Sequence, residues 1–387
     1  MHNRSVIATT AMLFIVAGCS NGSDSGSDKS GHGNLNYSQA VALETEAATS
    51  ANAEFGDVDG DGNLDIVLAK GRHWPLNNWV LLNDGGGNFD TRHMVDSNAD
   101  KTYAAELNDL DGDGDLDLVV GNDQPDTKRV YHNNGMGQFT LVGTFGLNTW
   151  NTRNVTVADL NGDDRAEIVV ANTGGSGESS MICVNNGSGL FPYPCVELSM
   201  TPATTIAAGD ITGDGHIDLF LPNRNGGQSY LYVNDGSGGF ADERAVGPAD
   251  VSSRAVALGD FDGDNELDIV MENPAGGAWI FINEGQGYSF AEPISVGDAT
   301  DIFSMAVGDL DEDGDDDLVI GNAEAFSNVL FNDGDGSSFT MIDFSTDQKD
   351  IAIYGLDIGD ANSDGILDIV TGRSGAINTL YFGGYNK

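Results

Sequence analysis

The chain has 387 residues, of which 61 are acidic and only 16 are Lys or Arg, for a formal net charge of −45. Charge of that sign and size argues against nucleic acid or anionic lipid as a partner. Glycine is abundant, at 53 residues, which suits tight turns and metal loops.

Residues 1–18 read as an export signal. A short polar start with Arg4 precedes an apolar run from Val6 to Ala17, too short for a typical membrane-spanning helix. The run ends Val16-Ala17-Gly18-Cys19, which resembles the lipobox of bacterial lipoproteins. That resemblance implies that Cys19 is lipidated and becomes the first residue of the mature chain. Ser20 after it implies the outer membrane or cell surface. The alternative is an ordinary secretory signal cut at a small-residue site. Residues 19–33 comprise that Cys and a flexible Gly/Ser/Asp tether. On this reading the chain meets the membrane through its lipid anchor only.

Residues 34–387 are one unit repeated. The loop D-x-D-x-D-G-x-x-D, or a variant of it, starts at Asp57, Asp109, Asp159, Asp210, Asp260, Asp309 and Asp360, in steps of 49 to 52 residues. Repeat 6 shows the unit clearly. Ser304–Gly308 reads as a first strand, Asp309–Asp317 as the loop, and Leu318–Gly321 as a second strand. Asn328–Asn332 and Phe339–Phe344 read as a third and a fourth, joined by a tight turn at Asp333–Gly336. Four antiparallel strands in about 50 residues make one propeller blade. Repeat 7 ends at Lys387 after its third strand, and Asn34–Leu43 looks like the missing fourth. The expected fold is all-β: a seven-bladed β-propeller of four-stranded antiparallel blades, closed when residues 34–44 complete blade 7.

Cys183 and Cys195 lie on the two arms of a predicted hairpin in repeat 3. Their even separation can place both on one sheet face, and export permits a disulfide. A disulfide is the favoured reading, with two unpaired buried thiols as the alternative.

Asp at loop positions 1, 3 and 5 can turn carboxylates inward on one cation. Gly at 6 permits the sharp turn, a backbone carbonyl at 7 can ligate, and an acid at 9 closes the cage. Such hard oxygen donors select calcium. Strand flanks, and Leu68, Val120 and Ile320 at position 12, exclude an EF-hand. Three repeats match in full: Asp57, Asp59, Asp61, Asn63, Asp65; Asp109, Asp111, Asp113, Asp115, Asp117; and Asp309, Asp311, Asp313, Asp315, Asp317. Asp260, Asp262, Asp264, Glu266 and Asp268 keep all four acids, with Asn265 in place of the turn Gly. Asp360, Asn362, Asp364, Ile366 and Asp368 are one charge short. Asp210, Thr212, Asp214, His216 and Asp218 carry a weaker neutral ligand at position 3. Asp159, Asn161, Asp163, Arg165 and Glu167 are the most degraded set, with Asp164 at the turn, and should bind most weakly.

These units resemble FG-GAP/VCBS-type repeats, the blades of integrin α-chain propellers and of many bacterial surface proteins. The resemblance covers residues 34–387 and implies calcium between the first and second strands of each blade, up to seven ions. A structural staple is the favoured role, because folding and metal affinity are coupled. A regulatory role, or a part in a ligand site, is the alternative.

The up-and-down strand order puts the metal loops on one face. Lys70, Arg72, Lys101, Lys128, Arg129, Arg153, Arg224, Arg254, Lys349 and Arg373 map to or beside the other. Six residues before each loop starts an innermost strand, at Ala51, Tyr103, Arg153, Thr204, Arg254, Phe303 and Tyr354. That ring should line one channel mouth. Arg72, Trp74, Tyr103, Trp150, Arg153, Arg254 and Tyr354 are the candidate ligand-face residues, suited to a sugar or an acidic ligand. The alternative is that cations are merely excluded from the calcium face. Asn122, Asn172, Asn223, Asn273 and Asn322, after each second strand, suit a turn role.

No H-E-x-x-H, G-x-S-x-G or Gly-rich phosphate loop occurs. The expected role is a monomeric binding or adhesion module whose partner is a glycan or a surface protein. Integrin propellers support the protein partner, and fungal seven-bladed lectins with similar calcium repeats support the glycan. The alternatives are a polysaccharide lyase or hydrolase using the basic face, and a structural envelope component.

Overall fold

The computed structural model describes residues 7–8, 11–12, 35–175, 177–285, 289–345 and 352–385. Residues 7–8 and 11–12 form a two-residue antiparallel pair. Cys19, the tether and the rest of the export signal lie outside the described residues, as does Lys349. Every regular element described is a strand, so no helix is present there to cross a membrane.

In repeat 6 the strands Ile302–Gly308, Asp317–Asn322, Asn328–Asn332 and Phe339–Asp343 pair consecutively and antiparallel. The second strand is buried at all six positions, which fits the uninterrupted run Leu318-Val-Ile-Gly321 facing both sides of the sheet. The outer strand is half-exposed and mixes polar with apolar residues. Repeats 2 to 6 each form one such four-stranded sheet.

Repeats 1 and 7 share an eight-stranded sheet. Ala48–Gly56 of repeat 1 pairs with Asp368–Ala376 of repeat 7 through Thr49↔Ser374 and Ala48↔Ala376. The approach is close enough to require glycine. A Cβ on Gly355 or Gly372 would sit within 2.7 Å of the Ala51–Asn52 backbone. At the outer edge, Leu35–Ala42 pairs antiparallel with Thr379–Tyr385.

The core is divided among clusters, each drawn from two neighbouring repeats. Val119, Val130 and Phe145 of repeat 2 pack with Val155, Ile168 and Val170 of repeat 3. Ala53, Phe55, Ile66 and Leu68 of repeat 1 pack with Val370, Leu380 and Phe382 of repeat 7. Each Val, Leu, Ile or Phe among them contributes about 1.5–3 kcal/mol by leaving water. Cys183 and Cys195 are joined as a disulfide within the first of these clusters, with Cα atoms 4.3 Å apart.

In repeats 1 to 6 a buried Asn at or just past the end of the third strand clasps one repeat to the preceding one. Asn332 Nδ2 donates to Phe261 O (2.7 Å) in repeat 5 and to Asp316 O (3.2 Å) in its own. Its Oδ1 accepts from Gly334 N and Gly336 N. Asn133, Asn185, Asn234 and Asn283 reach back in the same way, to Val58, Leu110, Leu160 and Ile211. Asn83 of repeat 1 reaches Ala361 O of repeat 7 at 2.7 Å. Repeat 7 has Gly383 at this place, and there Tyr385 Oη donates to Asp311 O instead.

Candidate functional site: an acidic loop face and an arginine-lined cavity

The seven loops share one backbone curl. In repeat 1 the Asp57 carboxylate accepts from Gly60 N, Asp61 N and Gly62 N, and Asp61 Oδ1 accepts from Asn63 N. Position 6 is left-handed in every copy, including Asp164 (φ 63°) and Asn265 (φ 67°). Position 4 is left-handed too, and Glu312 and Ser363 adopt it without glycine. Side chains at position 7 lie against the turn between the third and fourth strands. A Cβ on Gly236, for example, would meet His216 at 2.6 Å.

The loop carboxylates fit a hard divalent cation. Ligand atoms of Asp57, Asp59 and Asp61 lie within 4.8 Å of one another, as do those of three acids in each of repeats 2, 5 and 6. Asp313 Oδ2 is buried and has no hydrogen-bond partner among the described residues. At position 9 the acid also ties the loop to the sheet. Asp317 accepts from Leu310 N (2.9 Å) and Asn332 N (2.8 Å), and five other repeats copy this pair; in repeat 4 Asp218 accepts from Thr212 N, one residue further on, and from Asn234 N. Burial, the largest cause, holds all seven of these acids above the usual carboxylate range, from about 6 at Asp218 to about 8 at Asp317. In repeat 2, His132 Nδ1 comes within 3.1 Å of Asp111 and within ligating reach of Asp117. No sequence spacing suggested that meeting.

On the opposite face lies a cavity of about 310 Å³. Its wall includes Ala51, Tyr103, Arg153, Thr204, Arg254, Phe303 and Tyr354, the equivalent inner-strand position of all seven repeats. Arg72, His73 and Arg224 reach in from the loops between second and third strands. Gly71 makes this possible in repeat 1. Its φ is 118°, and a Cβ there would strike Asp100 O at 2.3 Å. Arg72 N then bonds Thr102 O (3.0 Å), seating the loop over the cavity.

Three arginines stack on three rings: Arg72 over Tyr354 (3.3 Å), Arg153 over Tyr103 (4.2 Å) and Arg254 over Phe303 (5.2 Å). Arg153 pairs with Asp123 (2.9 Å) and Arg254 with Asp301 (3.6 Å). Among the described residues Arg72 and Arg224 have no carboxylate partner, and Arg224 Nε is buried without a hydrogen-bond acceptor. Tyr103 Oη lies 2.9 Å from His73 Nδ1. Burial first, then Arg72 and Arg153, lower the His73 pKa below the usual imidazole range. No Asp or Glu is among the described lining residues.

A model of FG-GAP-like repeats matches residues 57–120, 109–170, 210–271, 266–320 and 309–371, well over half of the chain. The chain belongs to the FG-GAP-like repeat family. No curated protein matches it. Among solved structures, an Agrocybe aegerita lectin that recognises non-reducing terminal N-acetylglucosamine aligns with a TM-score of 0.56 at 21% identity. The alignment covers 78% of this chain and 81% of the lectin. BBS1N, solved in complex with ARL6DN and soaked with lead, aligns with a TM-score of 0.59 at 13% identity, over 90% of this chain and 96% of BBS1N. At these identities the likeness shows the fold alone, a β-propeller of FG-GAP-like blades.

Several ligand-face expectations need correction in this FG-GAP-like chain. Trp150 is only 7% exposed and packs in the core between repeats 2 and 3, beside the disulfide. Gly146 leaves room for its ring, since a Cβ there would meet it at 2.2 Å. Trp74 is 69% exposed and is not among the cavity-lining residues. The ten cations of that face also divide. Lys70 is buried against Glu44, and Lys128 is buried with Nζ on Leu147 O and Trp150 O. Arg373 is buried against Ser345, Thr379 and Tyr381. Arg129 pairs with Asp100, Lys101 Nζ bonds Gln124 O, Lys349 lies outside the described residues, and Arg72, Arg153, Arg224 and Arg254 line the cavity. Asn122, Asn172 and Asn322 bond the turns that follow them, at Thr127 O, Ser179 O and Phe326 O.

Proposed function

We propose that this chain is a cell-envelope lipoprotein whose seven blades close into a ring that binds a glycan or a surface protein. Closure by Leu35–Ala42 is supported by its pairing with Thr379–Tyr385, by the mixed core of repeats 7 and 1, and by the Asn83 clasp on Ala361. The acidic loops would hold up to seven calcium ions. Those ions supply positive charge that lets crowded carboxylates remain ionised. The lipid anchor at Cys19 rests on the sequence pattern, and the outer membrane or cell surface follows from it.

One observation carries the binding role: the equivalent inner-strand residue of all seven repeats lines one cavity. Stacked arginines and aromatic rings give that cavity both fork-like donors and apolar faces. A glycan array with the purified chain, run in calcium and in chelator, tests this. Selective, calcium-dependent binding to one sugar class is expected. A blank array from folded protein would move the role to a protein partner.

The Tyr103–His73 contact favours a second reading, a polysaccharide lyase. A neutral His73 would take the proton beside a sugar carboxylate held by arginine, with Tyr103 positioned to protonate the leaving oxygen. A two-carboxylate glycosidase would need a pair of acids, and none is among the described lining residues. Absorbance of unsaturated products on incubation with uronate polymers, lost in His73→Ala, would establish the lyase. No absorbance would remove it.

A further inference from the structure

We infer that the cavity takes an anionic saccharide unit, one carrying a carboxylate or a sulfate ester, with Arg224 and Arg72 as its principal charge partners. This rests on the glycan-binding reading above and narrows it. Four guanidinium groups from repeats 1, 3, 4 and 5 line one cavity of about 310 Å³. Asp123 and Asp301 balance two of them. Arg72 and Arg224 are unbalanced among the described residues, so the cavity is cationic in a chain of net charge −45. Arg224 is the sharper case. Its Nε is buried without an acceptor, a directional donor left unmet inside the wall. Burial, then repulsion from Arg153 and Arg254, lower its pKa, and an anion at this place would relieve both costs.

Stacking tells how the anion would be met. A guanidinium laid on a ring uses its face and leaves the in-plane N–H edge to donate. Arg72 Cζ lies 3.3 Å from the Tyr354 ring centroid and Arg153 Cζ 4.2 Å from that of Tyr103, distances that permit such an arrangement. The aromatic surface beside them suits a sugar ring better than a bare inorganic ion. The volume is at the low end for small-molecule sites, about 300–1,000 Å³, so the cavity seats one charged unit and not a run of polymer.

The test is isothermal titration of the full chain, purified in mild detergent with calcium. The titrants are a galacturonate oligomer, a sulfated disaccharide, a neutral N-acetylglucosamine oligomer and sodium sulfate. Binding of the carboxylated or the sulfated saccharide at least about tenfold tighter than the neutral one supports the proposal, and the tighter of the two identifies the charged group. Arg224→Gln should weaken that binding about tenfold with an unchanged melting temperature, and Arg72→Gln should do the same from an independent loop. Equal binding of neutral and acidic saccharides would overturn the anionic ligand and leave the glycan reading intact. Sodium sulfate binding as tightly as the saccharides would overturn the sugar. Failure of every saccharide to bind a normally melting protein would overturn both.

Discussion

Asn332 offers a direct test of how the blades are held together. Asn332→Ala removes two donors and one acceptor at a fully buried place. Phe261 O and Asp316 O lose their amide partner, and Gly334 N and Gly336 N lose their acceptor. Four hydrogen bonds at about 0.5–1.5 kcal/mol net each give about 2–6 kcal/mol. Unfolding entropy of about 2.1 cal/mol/K per residue, over about 350 residues, is about 0.7 kcal/mol/K. The melting temperature should therefore fall by about 3–8 °C. Asn332→Asp should fall further, because it keeps the acceptor but sets a charge against two carbonyl oxygens. Gln138→Ala, on the exposed surface, should stay within about 0.5 kcal/mol of the parent. Differential scanning calorimetry in calcium reads all three. An Asn332→Ala melt within about 1 °C of the parent would show that the clasp does not hold one blade to the next.

Deleting residues 34–44 exposes the edge at Thr379–Tyr385 and forfeits the burial of Leu35 and Tyr37, so melting should fall by more than about 5 °C. An unchanged melt would sink the closure. Chelation should lower the melting temperature as well, because each ion at about a hundred times its Kd adds about 2.7 kcal/mol; a calorimetric transition indifferent to chelator would refute the calcium staple. Glu54, Glu106 and Asp357 are buried acids on the innermost strands, with Glu54 Oε2 and Glu106 Oε1 lacking partners. Burial foremost raises all three, to about 7 at Asp357. Folded groups raised in this way hold protons that the unfolded chain has released. Their stabilisation is complete below the ordinary carboxylate pKa and is lost as pH climbs through about 7 and above. In chelator the protein should thus be more stable at pH 5 than at pH 8. Glu106→Gln should recover on the order of 1–3 kcal/mol at pH 8, measured by urea unfolding. Identical pH slopes for parent and variant would contradict the assignment.

Much of the architecture was legible because it is local and repeated. A loop recurring every 49 to 52 residues, flanked by β-branched runs, determined strand order and the family of blades. The inner-strand ring could also be read, since a fixed offset from each loop lands on the same structural place, and all seven of those residues line the cavity. Spacing does not reveal what a side chain meets from another repeat. Asn332 read as the end of a third strand, and only packing shows its amide reaching Phe261 O, 71 residues away in sequence. Lys128 and Arg373 looked like surface cations until the assembled sheets covered them. Trp150 looked like a ligand-face aromatic until repeat 3 closed over it. His73 and Arg224 share no motif, and they enter the cavity because loops from separate repeats converge on it. The sequence alone determined which unit is repeated and where each unit's strands and acids fall. The tertiary structure decided which charges are buried, which are paired and which face a common space, because those depend on contacts between repeats that no local pattern encodes.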